Sequence, residues 1–231
     1  MNKNEIINSL LDYFFPSYCF NCNSPVNDGK VICEDCYNDI EFLRENVCNK
    51  CGLNSNECQC KFSVFHFSFI TAPFINEGIA KKGIYSIKFS KNKILVDFYA
   101  QHMVKRLVEM TTEREFSFVT YVPMSFPKIL KRGYNQAFLL AQKVAEMLSL
   151  PVENTLKRSM FSYTQHKSKS LQDRFENAYK SYHSIKKVHG KVLLIDDIKT
   201  SGASLDACAR ELLKAGAEQV FCITALIGSK N

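Results

Sequence analysis

Asp196 and Asp197 stand side by side in the segment VLLIDDIKTSGAS, residues 192–204, and are followed by Thr200, Ser201, Gly202, Ala203 and Ser204. Three hydroxyls and a glycine ahead of a helix make an anion cradle. Gly202 lets backbone approach closely, and the N–H groups of the helix N-terminus point at the ligand. The two carboxylates would repel a phosphate, so they suit neighbouring sugar hydroxyls or a Mg2+ that the ligand brings. A phosphate and a polyol held a few ångströms apart describe ribose 5-phosphate. The bland reading, an acidic helix cap beside a simple turn, does not use the apolar strand, acidic pair, spaced Thr-Ser-Gly and helix together.

A second chemistry lies upstream. Eight of the ten cysteines fall between residues 19 and 60. Cys19-x2-Cys22 and Cys33-x2-Cys36 form two knuckles ten residues apart, which is zinc-ligand spacing. Cys48-x2-Cys51 is followed by the shorter Cys58-x-Cys60. That second set closes its own zinc site, interleaves with the first, or stays partly unmetallated. All-thiolate sites leave no open coordination position, so the one or two zinc ions are structural. Residues 1–61 are too few to bury a sizeable core, and metal must supply much of their folding free energy. Cys208 and Cys222 lie in apolar-periodic surroundings and read as buried structural thiols. The histidines His66, His102, His166, His183 and His189 are scattered, without ligand or triad spacing.

These groups need elements to hold them. Past Lys61 strands and helices alternate. Phe62–Ala72 reads as a strand, Ile79–Phe89 and Ile94–Glu109 as helices, Phe118–Pro123 as a strand and Asn135–Leu148 as an amphipathic helix. Lys157–Arg174 is basic and polar and reads as a long loop or flap. Val192–Ile195 is a continuous apolar run, as in a central parallel strand buried on both faces. A helix from about Ala203 to Ala215 ends at Gly216, and Gln219–Leu226 is the last strand. The pattern is that of a parallel, doubly wound α/β sheet, whose ligands bind at the carboxyl ends of strands. Asp196 begins at such an end.

The net charge of +7 is unevenly spread. Residues 1–61 carry 5 Lys/Arg and 9 Asp/Glu, a balance of −4, and the rest of the chain carries +11, which together give the +7 total. The basic part suits a polyanion, a pyrophosphorylated sugar or nucleic acid, as well as a solvated surface. No apolar run approaches the roughly 20 residues that cross a bilayer. Ile6, Ile7, Leu10, Leu11 and Phe14 recur at helical spacing, so the N-terminus reads as an amphipathic helix and not an export signal. The expected location is the cytoplasm.

The 192–204 loop resembles the phosphoribosyl pyrophosphate (PRPP) signature of type I phosphoribosyltransferases. With the paired cysteines, Ile87-Lys88-Phe89, Arg132-Gly133-Tyr134-Asn135-Gln136, Thr164-Gln165, and Arg174 with Asn177, the chain resembles the ComF family over nearly its whole length. That resemblance implies a type I phosphoribosyltransferase-like domain over residues 62–231 behind an N-terminal helix and cysteine-rich (double) zinc-ribbon domain over 1–61. It implies PRPP with Mg2+, the ribose hydroxyls on Asp196 and Asp197, and the 5-phosphate on Thr200, Ser201, Gly202, Ala203 and Ser204. The segment after Phe118–Pro123 would be the pyrophosphate loop, with Lys128, Lys131 and Arg132, joined by Lys88, Asn135 and Gln136. A flap with Gln165, Lys167, Lys169 and Arg174 would close over the ligand. Without the resemblance, Lys88 is a snorkelling surface lysine and Asn135 a helix N-cap. One departure concerns the pyrophosphate loop. Where the family has Val-Pro-Val-Pro, this chain reads Val122-Pro123-Met124-Ser125.

Three readings stand at this point. The chain is a PRPP-binding protein of natural transformation, handling single-stranded DNA in the cytoplasm with a DNA-uptake helicase as partner. Alternatively, it is an active phosphoribosyltransferase for an unidentified acceptor, releasing pyrophosphate. The third is a non-catalytic zinc scaffold that senses PRPP. No catalytic residue is assigned, because Thr200 stands where several relatives carry an additional acidic residue. The sequence does not reveal an oligomeric state.

Overall fold

The computed structural model describes residues 17–27, 29–44, 46–54, 58, 60, 65–90, 92–113, 115–159 and 170–228. The expected helix over Ile6–Phe14, the start of the strand expected from Phe62, and Thr164, Gln165, His166, Lys167 and Lys169 of the flap lie outside the described residues. The ribbon region holds β1 (Ser17–Tyr18) paired antiparallel with β2 (Pro25–Val26), and a short helix α1 (Glu34–Asn38).

The rest is a parallel sheet with helices on both faces. Its order is β3 (Phe69–Thr71), β9 (Gln219–Ile227), β8 (Lys191–Lys199), β5 (Phe118–Tyr121), and β4 (Phe74–Ile75) also runs along β9. Side chains of a strand alternate between faces, and β8 uses both. Leu193 and Ile195 pack on the face covered by α3 (Leu95–Met110) and α5 (Gln136–Leu148), with Tyr99, Met103, Leu140 and Val144. Val192 and Leu194 pack on the other face against Leu205, Cys208 and Leu212 of α7 (Ala203–Lys214). Helix α2 (Gly78–Ser90) adds Ile84 and Ile87 to the first face. The apolar residues of the ribbon join this same core: Cys19, Val26, Ile32, Cys36 and Ile40 cluster with Phe74 and Tyr99. Cys208 and Cys222 are fully buried.

The α/β expectation holds, with four local corrections. Among the described residues, the strand expected from Phe62 forms over Phe69–Thr71, where β9 supplies a partner beginning at Phe221. Strand β8 does not stop at Ile195; Asp196, Ile198 and Lys199 continue in register with Thr224, Leu226 and Ile227 of β9. The segment after β5 is not an open loop but a short helix α4 (Phe126–Arg132), with Pro127 in its first turn and Gly133 as a left-handed C-cap at φ 84°, as those residues favour. The stretch taken as one flap is bounded by structure: β6 (Leu156–Arg158) pairs antiparallel with β7 (Tyr182–Ser184), and Arg174 lies on α6 (Leu171–Ser181). Ser170 and Asp173 form a capping box that starts α6. Among the described residues, no helix is long and apolar enough to cross a membrane.

Candidate functional site

Strand β5 ends at Tyr121, opposite Ile195, while β8 runs on for four more residues along β9 alone. The acidic pair therefore stands where one neighbouring strand has stopped, and a notch opens beside it. Asp196 is half-buried and its Oδ1 accepts the Asp197 N–H at 2.9 Å. Burial, then the charge of Asp197, raises the Asp196 carboxyl well above the usual aspartate range. Asp197 is neutralised by Lys88 in the last turn of α2, with Nζ 2.6 Å from Oδ2. Lys88 is thus an inward-facing cation with its side chain only 14% exposed, and not a snorkelling surface lysine.

Four cations gather around this notch. Lys128 on α4 is exposed yet partly desolvated, and that desolvation, then Arg158, Arg132 and Lys88, lowers its pKa. Arg132 donates from Nη1 to Gln136 Oε1 at 3.1 Å, and its guanidinium lies 5.1 Å from the Phe89 ring centre. Arg158 on β6 lies over the Tyr182 ring at 5.3 Å. Two donors here have no partner among the described residues, Gln136 Nε2 and Arg158 Nε, although both atoms are buried. A buried donor without an acceptor costs about 1–3 kcal/mol. Such donors suit an acceptor-rich ligand. Arg158 was missed in the sequence because its place depends on β6 pairing with β7, which follows α6 in the chain. The only signal was its position at alternate spacing from buried Leu156.

The rest of the Arg-Gly-Tyr-Asn-Gln motif is structural. The Tyr134 hydroxyl donates to the Ile87 carbonyl, tying this motif to the segment that carries Lys88. Asn135 caps α5, accepting from the Ala137 N–H at 3.1 Å, and donates from Nδ2 to the Val122 carbonyl at 3.0 Å. Lys131 and Arg174 are exposed.

The loop after β8 turns at Gly202, whose φ of 83° precedes α7 directly. The Ala203 N–H approaches Ser201 Oγ at 3.4 Å, and Ser204 Oγ accepts from the Tyr182 hydroxyl at 3.2 Å. Below it, the fully buried Asp206 accepts the His66 N–H at 2.5 Å and the Tyr179 hydroxyl at 2.5 Å, and lies 3.0 Å from His66 Nδ1. His66 is a brace for α7. His102 is a packing residue, half-buried among Tyr37, Phe74 and Phe98, with Nδ1 2.8 Å from the Phe98 carbonyl.

The cysteines form two separate quartets. The thiols of Cys19, Cys22, Cys33 and Cys36 lie within 4.8 Å of one another, as do those of Cys48, Cys51, Cys58 and Cys60. Sulfur separations of 3.6 Å (Cys22–Cys33), 3.5 Å (Cys48–Cys60) and 3.7 Å (Cys51–Cys58) approach the roughly 3.8 Å edge of a tetrahedral zinc–thiolate site. All eight thiols are free of disulfides. The Ser24 hydroxyl and backbone N–H bring Cys22 down to about 6, in favour of the ligating thiolate. Both quartets fit structural zinc, and the shorter Cys58-x-Cys60 spacing closes the second site by itself.

Comparison with known proteins places these features. Residues 10–62 match the double zinc ribbon domain family. The chain is 28% identical to the competence protein ComFC of Streptococcus pneumoniae over 84% of its length and 86% of that protein's. It is 34% identical to competence protein F of Haemophilus influenzae over 43% of this chain and 45% of that one. It is also similar to the glutamine PRPP amidotransferase of B. subtilis, at 19% identity and a TM-score of 0.36, over 57% of this chain and 25% of that structure. The chain is a relative of the ComF competence proteins, an α/β parallel-sheet protein with an N-terminal double zinc ribbon.

Proposed function

We propose that this chain binds PRPP with Mg2+ at the β8 notch and serves DNA uptake, handling single-stranded DNA in the cytoplasm beside a DNA-uptake helicase. The reading divides the chain into a zinc domain over 1–61 and a phosphoribosyltransferase-like domain over 62–231. The observation that carries it is the pairing of Asp196 and Asp197 with four converging cations, two of them flanked by buried, unpartnered donors. In this assignment the carboxylates take the ribose hydroxyls or Mg2+, which prefers such hard oxygen donors. Residues 200–204 cradle the 5-phosphate, and Lys88, Lys128, Arg132, Arg158 and Gln136 hold the pyrophosphate. Lys88 leaves Asp197 as the ligand enters. The competence roles named for the relatives, and the balance of +11 over residues 62–231, support the DNA arm.

Transfer of the phosphoribosyl group to an acceptor is the second reading, favoured by the cation cluster. Breaking the bond from ribose C1 to pyrophosphate develops positive charge on the sugar and negative charge on the leaving group, and such a clamp stabilises the latter. Pyrophosphate release on adding candidate acceptors separates it from binding alone.

PRPP with Mg2+ at about 100 times its Kd is expected to stabilise the fold by about 2.7 kcal/mol, a rise of several degrees in melting temperature. Asp196→Asn with Asp197→Asn, and separately Gly202→Val, are expected to abolish that rise; an unchanged rise in either would overturn the assignment. Single-stranded DNA binding that weakens steeply with salt tests the second arm. No binding at low salt would remove it.

A further inference from the structure

The second cysteine quartet packs through Gly52 and Asn49 against β9 and β3, beside the strand that leads into residues 200–204. Gly52, directly after Cys51, adopts φ 71° and lies so close to β9 that a Cβ would stand 2.2 Å from Ile227 Cδ1 and 3.4 Å from Ile70 Cγ2. The Asn49 carbonyl, inside the same knuckle, accepts the Ile70 N–H at 2.9 Å. Ile227 is in turn the register partner of Lys199, the last residue of β8, and the Gly228 N–H bonds to the Lys199 carbonyl at 3.2 Å. Lys199 is 3% exposed, and its Cε lies 3.4 Å from where a Gly202 Cβ would be. A second anchor comes from the segment after Cys60. The Phe65 ring lies 3.4 Å from the same Gly202 position, and His66 is bonded to Asp206 in the first turn of α7.

Lys199 is an anomaly unless something opposes its charge, since buried ammonium groups need a counter-charge. Among the described residues no carboxylate lies within ion-pair distance of it. Burial lowers the Lys199 pKa overall, and the charges that oppose that lowering are those of Cys51, Cys60 and Cys48. Four thiolates around one Zn2+ carry a formal charge of about −2 in total. That anion suits a single buried lysine.

We propose that Lys199 is a positioning residue that ties the zinc-loaded second quartet to the phosphate loop, so that metal at Cys48, Cys51, Cys58 and Cys60 sets how tightly residues 200–204 hold a phosphosugar. The coupling rests on the reading of that loop as a sugar-phosphate site. It is reciprocal by thermodynamic linkage: a phosphosugar in the loop holds the second zinc more tightly. The first quartet lies against α1 and α3 and has no part in it.

The test uses the full zinc-loaded chain and a chromogenic chelator. Cys33→Ser and Cys58→Ser assign the two release phases to the first and second quartets. Lys199→Met is expected to speed release from the second quartet about tenfold, the size of effect typical for partners one shell beyond a metal's ligands. Release from the first stays unchanged, and Lys199→Arg restores most of the slow rate. Ribose 5-phosphate, the probe for the loop, is expected to slow second-quartet release in the unaltered chain and to bind about tenfold more weakly to Lys199→Met, the same linkage read in reverse. A folded Lys199→Met chain with unaltered second-phase release would overturn the proposal. Ribose 5-phosphate that binds the unaltered chain without slowing that phase would overturn the coupling. If ribose 5-phosphate fails to bind at all, the loop assignment falls and the coupling with it, whereas the hold of Lys199 on the second zinc is still decided by the release rates.

Discussion

Asp196 is destabilising where it stands. Its carboxyl has left water and faces a second carboxylate one residue away, so the folded chain binds its proton more tightly than the unfolded chain does. The stability it lends is greatest in acid, below the ordinary aspartate range. It declines as pH rises from that range through the higher folded value, because there the native state alone still holds the proton. Asp196→Asn is therefore expected to melt higher than the unaltered chain at pH 8 in the absence of ligand. The gain should shrink toward pH 5, as the native carboxyl takes up its proton. Thermal melts at the two pH values check this; a gain independent of pH would show that the charge is not the cause. A residue kept at a cost to the apo fold is what a ligand site with a bound cation or hydroxyls requires. Gly202 belongs to the same class, since its φ of 83° is one that side-chain-bearing residues adopt only under strain.

At the scale of elements, what was legible in the sequence was whatever buried a regular face. Helices α3 and α5 repeat apolar residues at three and four and bury Tyr99, Met103, Leu140 and Val144. Strands β8 and β9 are apolar on both faces because helices cover both. Helix α4 was read as a loop because none of its residues is buried. Helix α6 was hidden in a basic stretch because it buries only Ala178 and Ser181. The site was legible to the same degree. Asp196, Asp197 and residues 200–204 lie close together along the chain, whereas Arg158 reaches the notch only through the pairing of β6 with β7, which follows α6. The Asp206 brace, which joins residues 66, 179 and 206, was out of reach for the same reason. Asn135 gives a check on α5: Asn135→Ala loses both the cap and the bond to Val122, and a cost of about 1–2 kcal/mol is expected. Urea titration with an unchanged slope reads it directly; a loss under 0.5 kcal/mol would mean the cap is replaceable by water.

At the scale of the whole molecule, the ribbon and the sheet share one apolar cluster, in which Cys19, Ile32 and Cys36 meet Phe74 and Tyr99. Zinc is therefore expected to stabilise more than its own domain. Stripping it with a chelator should lower the single calorimetric transition of the entire chain, because the metal's binding free energy is folding free energy. Two separated transitions, with the sheet melting where it did before, would show that the shared cluster does not couple them.

The strand order has a consequence in time. Strand β3 pairs with β9 and with no other strand of the described sheet, so its partner is the last strand of the order to be made. About 150 residues separate them (Phe69 to Phe221), and closing so long a loop is a slow, late event. During synthesis the cysteine segment emerges first and gathers metal with no sheet to lean on. Ile227, against which Gly52 packs, arrives only with β9. A chain released early, short of residue 219, would carry a metallated ribbon and an open apolar edge at Phe69–Thr71, the kind of edge that pairs with other chains and aggregates. Synthesis of β9 is thus the step that joins the cysteine segment to the strand leading into residues 200–204.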